Sequence, residues 1–347
     1  MATITYEQLT NPLKPFIIAE IGSNHMGSME TAKQLIDAAK EAGCDAVKFQ
    51  SWQWDTLEGK KVFESKKDYS RPGFNITGYK EIKQLLALTP EQHHELKTYC
   101  DQKGIIFCSS AYSKEQIDLL VNLDVPFLKF SSADVVHHEL LRYAAMKGKP
   151  LILATGMADI HEIDEALKVI REAGNPEVVL LHCVSQYPTA SADVNLYNIP
   201  LLKTTFGVPV GFSDHTLSTE IPVSSIALGA NVIEKHFRLQ NQDCREQKVS
   251  IEPDAMRRLV EGAREVAQSL GSKKREISES ELKARVDMRR SVVVAKDLPA
   301  GHVLTQDDLA FKRPGSGIAP KDWKYVVGRK LNSDKEEGDL VLLKDLG

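Results

Sequence analysis

Eight short apolar runs recur along the chain, at residues 16–20, 46–50, 105–109, 127–131, 151–155, 178–182, 208–213 and 232–236. They are hydrophobic almost throughout rather than alternating, which is the pattern of parallel strands buried on both faces. Amphipathic stretches at 29–42, 90–103, 113–123, 161–173 and 219–230 lie between them. Several end in or beside a glycine (Gly43, Gly104, Gly174, Gly229), where a helix C-cap falls. Eight strand–helix units in roughly 260 residues predict an α/β fold of the (β/α)8, or TIM barrel, type; an open doubly wound sheet needs fewer strands.

Most of these runs turn polar at or near their C-terminal ends. In such a barrel those ends face one mouth, where the connecting loops converge and active sites sit. Glu20, Lys48, Gln50, Ser109, Lys129, Ser132, Thr155, His182, Ser213, His215, Glu234 and His236 are therefore expected at or near the mouth. The connection 51–89 exceeds ordinary loop lengths and reads as a partly ordered cap over it. Beyond an outer helix at 253–270 the chain becomes charged and poor in apolar residues. Apolar runs then return at 291–295, 303–304 and 339–343, with a turn at Pro299-Ala-Gly301. The expected division is a barrel at 1–272, a linker at 273–286 and a small β-rich unit at 287–347, too small to be more than marginal alone.

Composition narrows the class. With 347 residues, 42% hydrophobic and 27% charged, the chain is an ordinary globular protein. Its 44 Lys+Arg against 48 Asp+Glu give a net charge of −4, so no basic excess points to nucleic acid. Five cysteines without a CxxC pair read as reduced thiols. No basic segment precedes an apolar stretch at the N-terminus, and no run approaches the ~18 apolar residues of a membrane span. The expectation is a cytoplasmic protein with neither nucleic acid nor membrane as partner.

Candidate chemistry gathers at the strand ends. His215 follows the seventh run and His236 closes the eighth, so adjacent strands aim two imidazoles at one place. Such a pair suits a divalent metal whose remaining positions go to water and substrate; the competing reading is two histidines hydrogen-bonded within a polar mouth. Lys48 and Lys129 interrupt apolar runs, and a buried ammonium is costly unless paired. With Ser132, Ser185 and Ser213 they form a socket for a phosphorylated or carboxylated substrate, or else they pair with Glu20 and Glu234. A Schiff-base lysine is a third reading. Glu20 either handles a proton or closes a salt bridge. Lys235 is expected to face the helical layer, Trp52 and Trp54 to cap the mouth or anchor the loop, and His93, His94, His137 and His138 to lie on the surface. The segment Arg313-Pro-Gly-Ser-Gly317 lacks the strand–loop–helix context of a phosphate loop.

Seven segments together resemble the sialic acid synthase family, the nonulosonate synthases with a C-terminal SAF (antifreeze-like) domain. They are Ala19-Glu-Ile-Gly-Ser-Asn-His25, Val47-Lys-Phe-Gln50, Lys129-Phe-Ser-Ser-Ala-Asp134, His182-Cys-Val-Ser-Gln-Tyr-Pro188, Gly211-Phe-Ser-Asp-His-Thr216, Ile233-Glu-Lys-His-Phe237 and Lys312-Arg-Pro-Gly-Ser-Gly-Ile318. The resemblance spans essentially the whole chain. It implies a transferase that condenses phosphoenolpyruvate with the open-chain aldehyde of an N-acylated mannosamine-type sugar, releasing phosphate by C–O cleavage. It also implies a homodimer that swaps its SAF domains.

By position, the resemblance gives Mn2+, with Mg2+ or Co2+ as alternatives, to His215 and His236. It gives phosphoenolpyruvate to Lys48, Ser110, Lys129, Ser132, Ser185 and Ser213, and the reacting water or its proton to Glu20. It gives the sugar to Gln50, Asn75, Asp134 and Tyr187, and the N-acyl group to Arg313 of the partner's tail. Three departures stand out. Position 134 is Asp where neuraminate-type members often carry Glu, and Asp is common in the legionaminate-like branch. Ser109-Ser-Ala-Tyr112 replaces a more usual Ser-Thr-Pro-Phe. In 241–250 an expected Gly-Pro-Asp-His-like element is missing, leaving Asp243, Glu246 or no acid in its place. The first expectation for the product is N-acetylneuraminate, with legionaminate or pseudaminate as the alternative. Outside this family the rivals are another barrel condensing phosphoenolpyruvate with an aldose, a Schiff-base aldolase and a non-catalytic sugar-binding protein.

Overall fold

The computed structural model describes residues 3–53, 59, 79–272 and 274–347. Eight parallel strands close into a barrel in the order β1-β2-β3-β4-β5-β6-β7-β8. They are β1 (Phe16–Gly22), β2 (Ala46–Ser51), β3 (Ile106–Ala111), β4 (Leu128–Phe130), β5 (Leu151–Ala154), β6 (Val178–Cys183), β7 (Val210–Asp214) and β8 (Val232–His236). A short helix α1 (Tyr6–Leu9) precedes β1. The helical layer follows with α2 (Met29–Glu41), α3 (Tyr79–Leu86), α4 (Pro90–Lys103), α5 (Lys114–Asn122), α6 (His138–Ala145), α7 (Ile160–Glu172), α8 (Asn198–Phe206), α9 (Glu220–Ala227) and α10 (Pro253–Ser269). Trp52, expected over the mouth or in the loop, is buried with Ile82 and Leu86 of α3, and the Lys83 ammonium stands 4.5 Å from its ring centroid. Trp54 lies outside the described residues.

The two-residue period of a strand sorts side chains between two layers. Inside the barrel, Phe16, Ile18, Ala46, Ile106, Cys108, Phe127, Ile152, Val179, Leu181 and Val232 form one apolar cluster. Ile17, Ala19, Val47, Phe49, Leu153, Leu180, Phe212 and Ile233 face outward into the larger cluster shared with the helices. The inward file of β1 thus reads Phe16, Ile18, Glu20, and that of β8 reads Val232, Glu234, His236: apolar at the bottom, charged at the top. Lys235 falls in the outward file, fully buried, and its ammonium pairs with Asp214 at 2.6 Å and donates to the Thr216 carbonyl.

One surface expectation fails. His93 on α4 is buried, its Nε2 lies 2.6 Å from the Ser51 hydroxyl, and its Nδ1 donates to the Thr89 carbonyl at 2.8 Å. The turn of helix carrying it packs on β2 and β3, where Ser51 and Ser109 present hydroxyls 2.7 Å apart. An imidazole with one donor and one acceptor satisfies that inner face better than it would serve in water.

The chain divides into a unit of Met1–Gly271 and a unit of Ser272–Gly347. In the second, α11 (Glu279–Met288) starts at a Ser278–Glu281 capping box and buries none of its residues. It runs past the expected linker end. Beyond it, β9 (Ser291–Val294) pairs antiparallel with β10 (Leu309–Lys312). Val292, Val294, Leu298, Leu304, Val326, Leu331 and Val341 make a separate small core.

The barrel wall leaves no room at Gly211, where an added Cβ would sit 2.5 Å from the Val232 carbonyl oxygen and 2.7 Å from Leu181 Cδ2. Backbone cannot rotate away as a side chain can. Gly211→Ala should lower the unfolding free energy by about 1–3 kcal/mol in urea titrations; unchanged stability would mean that β7 and β8 separate freely at this level.

Candidate active site

Strand register decides which charged groups meet. Glu20 pairs in register with Lys48 on one side and His236 on the other, Ser110 with Lys129, and Ser213 with Glu234. The Lys48 ammonium lies 2.7 Å from Glu20, 3.7 Å from Glu234 and 3.1 Å from the Ser110 hydroxyl. Lys129 lies 3.6 Å from Glu234 and donates to the Phe130 carbonyl at 2.9 Å, and Ser213 donates to Glu234 at 3.1 Å. All four charged side chains are buried.

Alternating charges make this burial tolerable, and they act unequally. Burial pushes Glu20 up, and Lys48 and His236 beside it do not fully offset that. Burial also raises Glu234, but Lys129 and Lys48 together outweigh it and hold its carboxyl below the ordinary range. Lys129 is pushed down by burial, whereas Glu20 and Glu234 keep Lys48 firmly protonated against the same penalty. Glu20 is thus the member most ready to take up a proton.

The two histidines stand together beside this quartet, their ring centroids 5.2 Å apart. His215 Nδ1 lies 2.7 Å from the Val184 carbonyl, which only accepts, so Nδ1 carries the proton and Nε2 keeps its lone pair. Burial depresses its pKa to about 4, which keeps the ring neutral. His236 Nδ1 donates to Glu246 at 3.0 Å. Burial raises Glu246, but His236 outweighs it and holds the carboxyl at about 2. Two imidazoles whose Nδ1 protons are spoken for by a carbonyl and a carboxylate have the outer-shell arrangement of metal-binding histidines. Glu20, His236 and Glu246 also bring ligand atoms within 4.8 Å of one another, a grouping to which His215 does not belong. This mixed nitrogen and oxygen donor set fits a divalent first-row ion such as Mn2+.

A third element faces the quartet. The Gly156 amide donates to the Ser132 hydroxyl at 2.9 Å, and a Cβ at Gly156 would collide with both Ser132 and Ser185 hydroxyls. Two hydroxyls and an amide from the ends of β4, β5 and β6 therefore converge on a spot kept clear by glycine. Nothing in the sequence around Gly156 marks it, because its value lies in contacts from two other loops.

The remaining expected residues divide. Gln50 donates to Glu20 at 2.7 Å and is within 3.3 Å of the Trp52 indole. The Tyr187 ring lies 4.1 Å from that of His215 and 6.0 Å from that of His236, over the pair. Asp134 is buried, and its Oδ2 accepts from the Ser131 hydroxyl at 2.6 Å. Arg313 is exposed on the second unit, and Asn75 falls outside the described residues. Of the two acids left open in 241–250, Glu246 reaches the site and Asp243 is exposed. Gly22, at φ +53°, makes the space: an added Cβ would meet the Glu246 carboxylate at 2.5 Å and Gln50 and Glu20 at 3.1 Å each.

Comparison with known proteins places this arrangement. A family model described as the NeuB family matches residues 35–275, and a SAF domain model matches residues 289–347. The chain is 38% identical over 332 residues to the N,N'-diacetyllegionaminic acid synthase of Legionella pneumophila, covering 94% of this chain and 93% of that one. It is 35% identical over 336 residues to a pseudaminic acid synthase of Campylobacter jejuni, covering 96% of each. A crystal structure of N-acetylneuraminic acid synthetase from Leptospira borgpetersenii, in complex with citrate, superposes with a TM-score of 0.70 at 30% identity, covering 78% of this chain and 90% of that one.

Glu234 is the anion shared by two buried lysines. Replacing it by Gln keeps the shape and leaves the ammonium groups facing each other, so Glu234→Gln should cost about 3–5 kcal/mol of barrel stability. Urea unfolding measures this; a loss under about 1 kcal/mol, the scale of a surface pair, would show that the lysines do not depend on Glu234.

Proposed function

The chain belongs to the NeuB family of nonulosonic acid synthases and carries a SAF domain, and from that premise we propose that it condenses phosphoenolpyruvate with the open-chain aldehyde of an N-acylated mannosamine-type sugar. The observation that carries this reading is the buried quartet in which Glu20, Lys48, Glu234 and Lys129 alternate in charge, beside the paired imidazoles of His215, kept neutral by burial, and His236, whose pKa Glu246 pushes up against burial. It combines a cationic socket for an anionic substrate with a place for a Lewis acid.

In this reading Lys48, Lys129 and Ser110 with Ser213 hold one anionic end of phosphoenolpyruvate. Ser132 and Ser185, whose hydroxyls border the space kept clear by Gly156, cradle the other. The quartet is balanced at two cations against two anions, so binding a multiply charged anion favours protonation of one acid. Glu20, already pushed up by burial, is the one that yields. His215 and His236 hold the divalent ion, Mn2+ or alternatively Mg2+ or Co2+, which when bound supplies Lewis-acid polarisation at the aldehyde oxygen. C3 of phosphoenolpyruvate bonds to the aldehyde carbon, whose oxygen becomes a hydroxyl. Water adds at C2 and gives up two protons: Glu20 takes one and relays it to the former aldehyde oxygen, and the other leaves with phosphate as the C2–O bond breaks to give the keto acid. Gln50, Asn75, Asp134 and Tyr187 orient the sugar, and Arg313 of the partner's tail in a swapped homodimer receives the N-acyl group.

N-acetylmannosamine, giving N-acetylneuraminate, is one acceptor. A diacetamido-trideoxy hexose, giving legionaminate or pseudaminate, is a second reading that one observation favours. Asp134 is a methylene shorter than Glu and tied back to Ser131, so it reaches less far into the mouth and leaves space for a second acylamino group.

Phosphate release should require phosphoenolpyruvate together with one of these sugars, stop on thorough chelation and return with Mn2+. Activity indifferent to chelation would remove the metal assignment, and a pyruvate adduct trapped by borohydride on Lys48 or Lys129 would replace the mechanism with a Schiff-base one. Assay across N-acetylmannosamine, its 6-phosphate and the two diacetamido-trideoxy hexoses names the acceptor; no release with any would sink the synthase reading.

Arg313→Ala should raise KM for the sugar far more than it lowers kcat, as loss of an interaction made equally in ground and transition states does. Mixed with Lys129→Ala protein, it should regain activity in hybrid dimers. No recovery on mixing would refute a site shared between chains.

A further inference from the structure

Glu246 lies ten residues beyond His236, in the irregular segment 237–252 between β8 and α10, and no periodicity in that segment sets its direction. The neck is closed by main chain: Phe237 bridges Ile251, and the Phe237 amide donates to the Glu20 carbonyl at 2.8 Å. The body is tied to the loop after β1, by Arg245 Nη1 donating to the Ser23 hydroxyl at 3.3 Å and above all by one buried side chain. Asn24, fully buried in the loop after β1, donates through Nδ2 to the Phe237 carbonyl and to the Ser250 hydroxyl, each at 2.9 Å. Its Oδ1 accepts the Glu246 amide at 3.0 Å, and its own carbonyl accepts from Gln242 Nε2 at 2.6 Å. Ser250 in turn donates to the Glu246 carbonyl at 2.8 Å.

We propose that Asn24 is a positioning residue that fixes the 238–250 loop so that Glu246 meets His236. The proposal deepens the synthase reading and rests on it for what His236 holds. Both carboxamide hydrogens and the carboxamide oxygen are engaged within the protein, so Asn24 has no donor left for a substrate and acts through Glu246. The hydrogen-bond pattern also demands an amide. Asp offers the same shape and an acceptor for the Glu246 amide, but it presents an acceptor where the Phe237 carbonyl and Ser250 need a donor, and it buries an unpaired charge. Ala removes all three side-chain bonds and leaves the loop its neck, its internal bonds, the Gln242 bond to the main-chain carbonyl and the Arg245–Ser23 contact.

The test uses the full-length protein and two readouts that need no turnover. Hydrogen exchange of 239–250 should accelerate in Asn24→Ala and Asn24→Asp, but not in Gly211→Ala, which weakens the barrel elsewhere. Mn2+ affinity, by titration calorimetry without substrates, should fall by about 10–100-fold, the usual effect of losing an outer-shell partner. In a double-mutant cycle, Asn24→Ala with Glu246→Gln should bind Mn2+ no worse than Glu246→Gln alone, because the first change acts through the second residue. If Asn24→Ala does not fold, Ser250→Ala removes one of the same hydrogen bonds and should shift both readouts in the same direction by less. Unchanged exchange in the loop, or additive losses in the cycle, would overturn the proposal. Failure of the synthase reading appears separately, as wild-type protein that binds Mn2+ through this arrangement yet releases no phosphate from phosphoenolpyruvate with any of the four sugars.

Discussion

Four charged side chains buried at the top of a closed barrel constrain everything around them. Two unit charges about 4 Å apart interact by about 4 kcal/mol at an effective dielectric near 20, and each of the four would be far costlier alone. They are tolerable only when Glu20, Lys48, Glu234 and Lys129 alternate in sign, and alternation depends on register. A slip of one residue in β2 or β8 would turn Lys48 or Glu234 out into the helical layer and bring apolar neighbours in. The hydrophobic pattern and the charges therefore specify the same pairing.

That dependence on register explains what could be read from the chain. The strands, the helices and the two-part division follow from apolar runs, glycine caps and a change in composition, all local. The polar strand ends were legible for the same reason: Lys48 and Lys129 are anomalies within apolar runs. Which acid pairs with which lysine was not, since Lys48 and Glu234 are remote in sequence and meet only when the barrel closes. His93 was misread because α4 is polar on average. Its buried residues His93, Leu96, Lys97 and Cys100 follow the i, i+3, i+4, i+7 spacing of one helix face, a spacing present in the sequence itself. Glu246 remained one of two acids because a loop without periodicity gives no rule for direction; Asn24, which supplies the direction, lies more than two hundred residues away.

The site also divides by the kind of backbone that carries it. The residues assigned to phosphoenolpyruvate are mostly borne on strands: Lys48 on β2, Ser110 on β3, Lys129 on β4 and Ser213 on β7. Neighbouring hydrogen-bonded strands fix their positions, and the charge balance penalises changing any one of them. Of the described residues assigned to the sugar, Gln50 is strand-borne on β2, while Asp134 after β4, Tyr187 after β6 and Arg313 of the tail unit lie beyond the barrel strands. Loops accept substitution and changes of length without disturbing the barrel. Such a division permits a fixed strand-borne socket to serve different sugars, and the names of the relatives, legionaminic, pseudaminic and N-acetylneuraminic acid synthases, differ in the sugar acid made. Glu246 stands at the border, since it lies on irregular backbone while its target, His236, is strand-borne. A clasp such as Asn24, anchored in the loop after β1, couples the two: it makes the position of a loop carboxylate depend on the barrel rather than on the loop's own sequence.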